Sequence, residues 1–177
     1  MRLLVIDPER SVLQGLNDLA ILLVFGVWFW EAFAFAAGLD THATPACLHD
    51  ILVRALPLQG LGAALMLVGL GVYVAGLGAF GDSWRLGIDR EKAGALVTTG
   101  IFAWSRNPIY LALDLLVLGS FAIQGRTLFG LLAVLIAGLL HALILREERF
   151  LEEHYANAYR TYRTHVARYC QLKGQSL

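Results

Sequence analysis

Four long apolar runs constrain this chain more than any other feature of its sequence. They extend roughly over Leu16–Leu39, Leu56–Phe80, Pro108–Ile123 and Leu128–Leu145. A helix that crosses a bilayer needs about 20 mostly apolar residues, within a range of roughly 17–25. The 177 residues are 58% hydrophobic and 16% charged, whereas a soluble domain carries about 25% charged residues. The sequence therefore predicts an all-α fold, a polytopic membrane helix bundle with about four transmembrane helices.

Two of these runs carry signs of close helix packing. The third run is short and contains Asp114, so we expect it to lie inside the bundle and not to face lipid on all sides. Small residues let helix backbones approach closely in a membrane. The second run is rich in such residues, namely Gly60, Gly62, Gly69, Gly71, Gly76 and Gly78.

The distribution of Lys and Arg predicts the orientation in the membrane. Twelve basic residues lie before the first run, between the second and third, or after the fourth: Arg2, Arg10, Arg85, Arg90, Lys92, Arg106, Arg146, Arg149, Arg160, Arg163, Arg168 and Lys173. Only two, Arg54 and Arg126, lie on the other side. Because cytoplasmic loops are enriched in Lys and Arg, we expect both termini in the cytoplasm. The fourteen basic and fourteen acidic residues balance, and no nucleic-acid partner is expected.

The polar residues gather on the predicted cytoplasmic side, in the segment 81–107 and after Leu145. We therefore expect one membrane domain over residues 1–177, with an N-terminal helical pair over 1–80 and a functional half over 81–177. The C-terminal part predicts an amphipathic helix, because its apolar residues recur at helical spacing. That face consists of Leu151, Tyr155, Tyr159, Tyr162, Val166 and Tyr169. It suits either the membrane interface or the cover of a ligand site, and the two are compatible.

The segment 100–110 is the most informative in the chain. Pro108 suits the first turn of a helix, Asn107 before it is a capping residue, and Gly100 permits a tight turn. The free N–H groups at such a helix start attract anions, and Arg106 adds a positive charge at the cytoplasmic boundary.

Four acidic or histidine side chains in or beside the spans are further candidates. Glu147 and Glu148 follow the fourth run, where they form either a solvated charge pair or a site for ammonium or hydroxyl groups. Asp114 and His141 lie within spans, so each is a functional candidate, or a polar group bonded to a neighbouring helix. The histidines and cysteines are scattered, and no metal site is expected.

Two motifs carry a resemblance to a known family. Gly-x-Phe-x-x-Ser-Arg-Asn-Pro-x-Tyr at 100–110 is followed by an apolar span and by Glu-Glu-x-x-Leu-x-x-x-Tyr-x-x-x-Tyr-x-x-Tyr at 147–162. This pattern resembles the isoprenylcysteine carboxyl methyltransferases and the related phospholipid methyltransferases of membranes. The resemblance extends from about Ser83 to Tyr169, which is about half of the chain.

The resemblance implies an S-adenosylmethionine-dependent methyltransferase whose cofactor is held by the helical C-terminal half. By position, the catalytic candidates are Arg106, Asn107 and Glu148, and the cofactor-binding candidates are Phe102, Asn107, Pro108, Tyr110, Glu147 and Glu148. Asn107 stands where eukaryotic members have histidine, and an amide cannot act as a general base. Leu143 stands where they have an arginine that contacts substrate.

The resemblance also implies a lipophilic or prenylated acceptor that enters from the bilayer, with membrane lipid as a partner. A carboxylate or thiol acceptor is favoured, because neither needs a dedicated base. Two other classes remain open: an NADPH-dependent membrane reductase related to the sterol reductases, and a non-catalytic lipid-binding membrane subunit. The compact length and the Arg-Asn-Pro variant favour a bacterial inner membrane location, and the sequence leaves the oligomeric state open.

Overall fold

The computed structural model describes residues 12–39, 44–80 and 96–170. Residues 83–95, where the resemblance begins, and most of the basic residues before the first and third runs lie outside these ranges. The described residues form four α-helices: α1 Val12–Ala36, α2 Leu56–Phe80, α3 Pro108–Gln124 and α4 Thr127–His165. Two short 3-10 helices, Ala46–His49 and Gly100–Ala103, precede α2 and α3. No strand occurs in the described ranges, and the predicted all-α class is confirmed.

Three of the helices are long and apolar enough to cross a membrane, namely α1, α2 and α4. The third apolar run forms α3, which is also apolar but has only 17 residues. All residues of α3 are described, and Leu118 alone is exposed among them. The protein is therefore an integral membrane protein, and the expectation that the third run is packed inside is confirmed.

A glycine turn ends α3 and ties it to the chain before α2. Gly125 has a φ of +64°, a conformation that L residues avoid and that often follows the last turn of a helix. Its carbonyl accepts hydrogen bonds from the backbone N–H groups of Leu52 and Val53, at 2.7 and 3.2 Å. The N–H of Thr127, where α4 begins, donates to the carbonyl of Asp50 at 3.0 Å. A side chain on residue 125 would collide with the Val53 carbonyl.

The helical chain that begins with the fourth apolar run continues through the charged residues after Leu145 as far as His165, in two helical parts that meet at Ala156. No glycine or proline interrupts residues 139–165. The axis changes at Ala156, whose φ of 44° and ψ of −115° are not helical. The predicted amphipathic helix is therefore present as the last part of α4. Its apolar face is packed within protein, where Tyr159, Tyr162 and Val166 form a buried cluster.

The chain divides into two compact units. Among the described residues, the first unit contains 68–80, 96–113 and 140–170, and the second contains 12–39, 44–67 and 114–139. The second unit contains a close helix contact at Gly62. A Cβ added to Gly62 would lie 2.7 Å from the Gly119 carbonyl oxygen and 2.9 Å from the Ala122 Cβ. In the first unit, a Cβ on Gly76 would lie 3.0 Å from Ile109 Cγ1.

Only part of the glycine series in α2 serves close packing. At Gly60, Gly71 and Gly78 an added Cβ would meet no atom within 4 Å. A neighbouring helix therefore requires a small residue at Gly62 and Gly76, while the sequence pattern alone does not distinguish them from the others.

We expect Gly62→Ala to lower the free energy of unfolding by about 1–3 kcal/mol, because its methyl group would overlap the Gly119 backbone. Gly71→Ala is the matched control in the same helix. It should be neutral or stabilising by up to about 1 kcal/mol, since alanine favours a helix and the site is open. Thermal unfolding in detergent checks both. Equal effects of the two substitutions would contradict the close contact at Gly62.

We expect Ala156→Gly to stabilise the protein by about 1 kcal/mol or more, because glycine adopts positive φ without the strain that alanine bears. Ala158, two residues later, is exposed and helical. Ala158→Gly should instead destabilise by about 0.5–1 kcal/mol. Thermal unfolding of the two variants compares them directly. Destabilisation by both would show that residue 156 lies in a regular helix.

Candidate functional site

The segment 100–107 leads into α3 through a tight turn whose polar groups are bonded locally. Gly100 has a φ of +62°, and the 3-10 helix that begins there ends at Ala103. The buried Ser105 hydroxyl accepts a hydrogen bond from the backbone N–H of Asn107 at 3.1 Å. The Asn107 carbonyl accepts the N–H of Leu111 at 3.1 Å and so begins α3. Asn107 thus stands at the predicted cap position, but its side-chain amide points elsewhere.

The residues after α4, 166–170, form a short tail that packs against this turn, together with Tyr162 of α4. The Arg106 N–H donates to the carbonyl of Ala167 at 3.0 Å. The Arg168 carbonyl accepts two hydrogen bonds, from the Ser105 hydroxyl at 3.4 Å and from the Asn107 amide at 3.1 Å. The Tyr162 hydroxyl donates to the carbonyl of Phe102 at 2.6 Å. The tail and the turn are therefore held together mainly through backbone groups.

Glu148 is the centre of a buried charge network within the first unit. This residue is 7% exposed. Its Oε1 accepts from the Asn107 amide at 3.2 Å. Arg168 binds both carboxylate oxygens, with Nε 3.2 Å from each and Nη2 2.9 Å from Oε2. Arg106 Nη2 lies 3.4 Å from Oε1. Three side chains from two chain segments thus satisfy one carboxylate.

Sequence reasoning identified Arg106, Asn107 and Glu148 but missed Arg168. Arg168 lies after the end of α4, so no helical spacing relates it to Glu148. Its hydrogen bond to Glu148 raises the pKa of Arg168, and the guanidinium stays charged. The bidentate geometry is the strongest form of such a pair.

Arg106 retains hydrogen-bonding capacity in a buried position. Its side chain is 8% exposed, and Nη2 has the contact with Glu148. Its Nε and Nη1 are buried and have no hydrogen-bond partner among the residues that the structure describes. The hydroxyl of Tyr159, which is 1% exposed, likewise has no partner among them. A buried polar group left unpaired costs about 1–3 kcal/mol, and more when it is charged.

Glu147 has a different environment from its neighbour. Its Oε2 accepts a hydrogen bond from the Tyr110 hydroxyl at 2.7 Å. Both residues are half-buried. An ionised carboxylate has about four acceptor positions, so the tyrosine leaves Glu147 with capacity to accept further donors. This pair joins the start of α3 to α4.

The remaining candidates are placed as follows. Phe102 and Pro108 are buried, and the Phe102 carbonyl is bound by Tyr162 as described above. His141 Nδ1 and the Tyr169 hydroxyl lie 2.6 Å apart and form a hydrogen bond. Asp114 is half-buried in α3 and belongs to the second unit. The structure therefore joins all the predicted site residues from 102 to 110 with Glu147 and Glu148 in one unit, without Asp114.

Comparison with known families shows to which family this chain belongs. The sequence model of the phospholipid methyltransferases matches residues 58–158, which is more than half of the chain. This chain belongs to the phospholipid methyltransferase family. The family is part of the isoprenylcysteine carboxyl methyltransferase-like group, so the predicted resemblance is confirmed. No curated protein and no solved structure matches the chain.

Membership in the phospholipid methyltransferase family makes the protein a membrane methyltransferase with a lipid-related substrate. The matched residues include the turn 100–107, the start of α3 and both glutamates. They end just before Tyr159, so Tyr159, Tyr162 and Arg168 lie beyond the match.

We expect Glu148→Gln to destabilise this methyltransferase by about 3 kcal/mol, because it leaves two guanidinium groups without their buried counter-charge. Glu152→Gln is the control. Glu152 pairs with the exposed side chains of Arg160 and Arg163, and such surface pairs contribute about 0–1 kcal/mol. Thermal unfolding measures both. A loss on Glu148→Gln no larger than that of the control would contradict the network.

Proposed function

We propose that this protein transfers a methyl group from S-adenosylmethionine to an acceptor carried by a lipophilic molecule in the membrane. The observation that supports the proposal is the pairing of the two sequence motifs. Asn107 is bonded to Glu148, and Tyr110 is bonded to Glu147. The Arg106 guanidinium of the first motif and the Glu147 carboxylate of the second therefore lie in one unit. A ligand that carries both a carboxylate and an ammonium group requires such groups of opposite charge.

The side chains present fit that cofactor. The unpaired buried donors of Arg106 suit a carboxylate or phosphate group. Glu147 suits an ammonium group or ribose hydroxyls. Phe102, Pro108, Tyr110 and the half-exposed Trp104 offer apolar and aromatic surface. When bound, S-adenosylmethionine supplies an activated methyl group.

In this proposal the residues of the chain bind and align the reactants. Arg106 binds an anionic group, and Glu147 with Tyr110 orients a cationic or hydroxyl group. Both oxygens of Glu148 are already engaged, so Glu148 acts through Arg106 and Asn107 as a positioning residue. Asn107 holds the turn against Glu148. Holding reactants in a reactive geometry and excluding water both contribute to the rate of such a transfer.

Two classes of acceptor are consistent with these residues. A carboxylate or thiol acceptor, as in an isoprenylcysteine-like substrate, needs no base at neutral pH. A phospholipid amine must first lose a proton. The name of the matched family favours a phospholipid acceptor, and for an amine the pair of Tyr110 and Glu147 is a candidate acceptor for that proton. Labelled S-adenosylmethionine with phosphatidylethanolamine or with a prenylcysteine analogue separates the two classes.

We also propose that the site faces the cytoplasm of a bacterial cell, with both termini on that side of the inner membrane. The distribution of basic residues supports this orientation. The division into a helical pair over 1–80 and a cofactor-binding half over 81–177 is part of the same proposal. A cysteine-labelling experiment on intact cells, with Cys47 exposed and on the predicted outer side, tests the orientation.

We expect S-adenosylhomocysteine to bind the detergent-purified protein with one-to-one stoichiometry in calorimetric titration, and NADPH not to bind. Glu147→Gln should weaken the binding by about tenfold, because a charged hydrogen-bond acceptor is lost. Glu153→Gln, at an exposed position of the same helix, is the control. Binding of NADPH alone would favour a reductase. A folded sample that binds neither ligand would favour a non-catalytic membrane subunit.

A further inference from the structure

His141 is a polar residue in the apolar part of α4, and its partner comes from the tail 166–170. Its Nδ1 lies 2.6 Å from the Tyr169 hydroxyl. The two rings also stack, with centroids 6.1 Å apart and planes inclined by 19°. The hydrogen bond forms with either tautomer of the histidine, because a phenol hydroxyl both donates and accepts. A polar residue in a span is a functional candidate, and this one attaches the tail to the span.

The tail is bound at two points along one face of α4. Arg168 binds the Glu148 carboxylate, with Nη2 2.9 Å from Oε2, and the next residue, Tyr169, binds His141. Residues 141 and 148 are seven positions apart. They therefore lie on the same side of the helix, about 10 Å apart along its axis. The side chains of two consecutive tail residues thus reach both the charge network and the apolar part of α4.

Specific contacts, and not regular secondary structure, keep the tail in place. The tail follows the end of α4 at His165 and forms neither helix nor strand up to residue 170. Its backbone is bonded to the turn before α3 at Ala167 and Arg168. Tyr169 is the next residue beyond these bonds. Release of Tyr169 from His141 therefore frees the tail on its C-terminal side and leaves Arg168 as the next attachment.

We propose that His141 and Tyr169 form a latch that keeps the tail closed against the site around Glu148. The tail opens when Tyr169 leaves His141, and it closes when the bond forms again. This inference rests on the proposed function, because closure of a segment over bound reactants excludes water from the transfer. His141 and Tyr169 are positioning residues in this proposal. They act through Arg168 and its contact with Glu148.

Cys170 follows the latch directly and reports on its opening. It is a free, half-buried thiol. In a Cys47→Ser background it is the single cysteine of the full chain. The rate at which a maleimide labels Cys170 in detergent at constant pH measures the opening of the tail, with and without S-adenosylhomocysteine. The variants are Tyr169→Phe, His141→Leu, the double variant, and His141→Asn, which keeps a polar atom near the position of Nδ1. Tyr73→Phe in α2 is the control.

We expect Tyr169→Phe and His141→Leu each to speed the labelling about three- to tenfold, because each removes one hydrogen bond. The double variant should label no faster than the faster single variant, since both changes remove the same interaction. His141→Asn should restore part of the protection, and Tyr73→Phe should have no effect. S-adenosylhomocysteine should slow the labelling of the wild type, because a ligand shifts the equilibrium toward the state that binds it. Thermal unfolding of each variant separates local opening from loss of the fold.

A folded Tyr169→Phe variant that labels at the wild-type rate would overturn the latch. Effects of the two single substitutions that add in the double variant would also overturn it. If His141→Leu does not fold, Tyr169→Phe and His141→Asn decide, because both are small changes. Failure of the proposed function gives a different pattern: S-adenosylhomocysteine then leaves every labelling rate unchanged, while Tyr169→Phe still accelerates the reaction of Cys170.

Discussion

The burial of the Glu148 carboxylate is the constraint on which the first unit depends. Removing an ionised carboxylate from water costs several kcal/mol, and only good geometry with several donors offsets that cost. The donors come from two segments that are distant in sequence: Arg106 and Asn107 before α3, and Arg168 after α4. Satisfying one carboxylate therefore fixes the turn, the start of α3 and the tail against α4.

The same helix explains why two adjacent glutamates have different surroundings. Consecutive residues of an α-helix point about 100° apart. Glu148 is therefore directed to the arginine network, while Glu147 is directed to Tyr110 on α3. Of the two adjacent glutamates, Glu148 therefore holds the fold together, and Glu147 has the proposed role in binding a ligand.

Much of the fold was predictable because apolar length and helix-ending residues are local signals. The four runs, Pro108 at the start of α3 and the integral membrane class all follow from such signals. Ala156 could not be predicted as a break, since alanine is the strongest helix former and only tertiary packing overrides it. In the same way, spacing located the glycines of α2, but only the structure shows that Gly62 faces another backbone.

The candidate site was predictable in its residue types and less so in its contacts. The two motifs contact each other through Asn107 with Glu148 and through Tyr110 with Glu147. The side chain of Asn107 was expected at the helix cap, but its amide donates to Glu148, and Ser105 accepts the backbone N–H of Asn107. Arg168 had no signal, because its partner is 20 residues away across the break in α4.

The break at Ala156 also bears on how a small membrane protein encloses a polar ligand. Apolar spans cannot by themselves bury an arginine beside a carboxylate, because every polar group removed from water must be paired. The segment after Ala156 meets that need with Tyr162 and the tail, which cover the turn through hydrogen bonds to its backbone and side chains. It leaves the Arg106 donors Nε and Nη1 without a partner in the described residues. In the proposed reaction an anionic ligand completes that pairing, so ligand binding and exclusion of water become the same event.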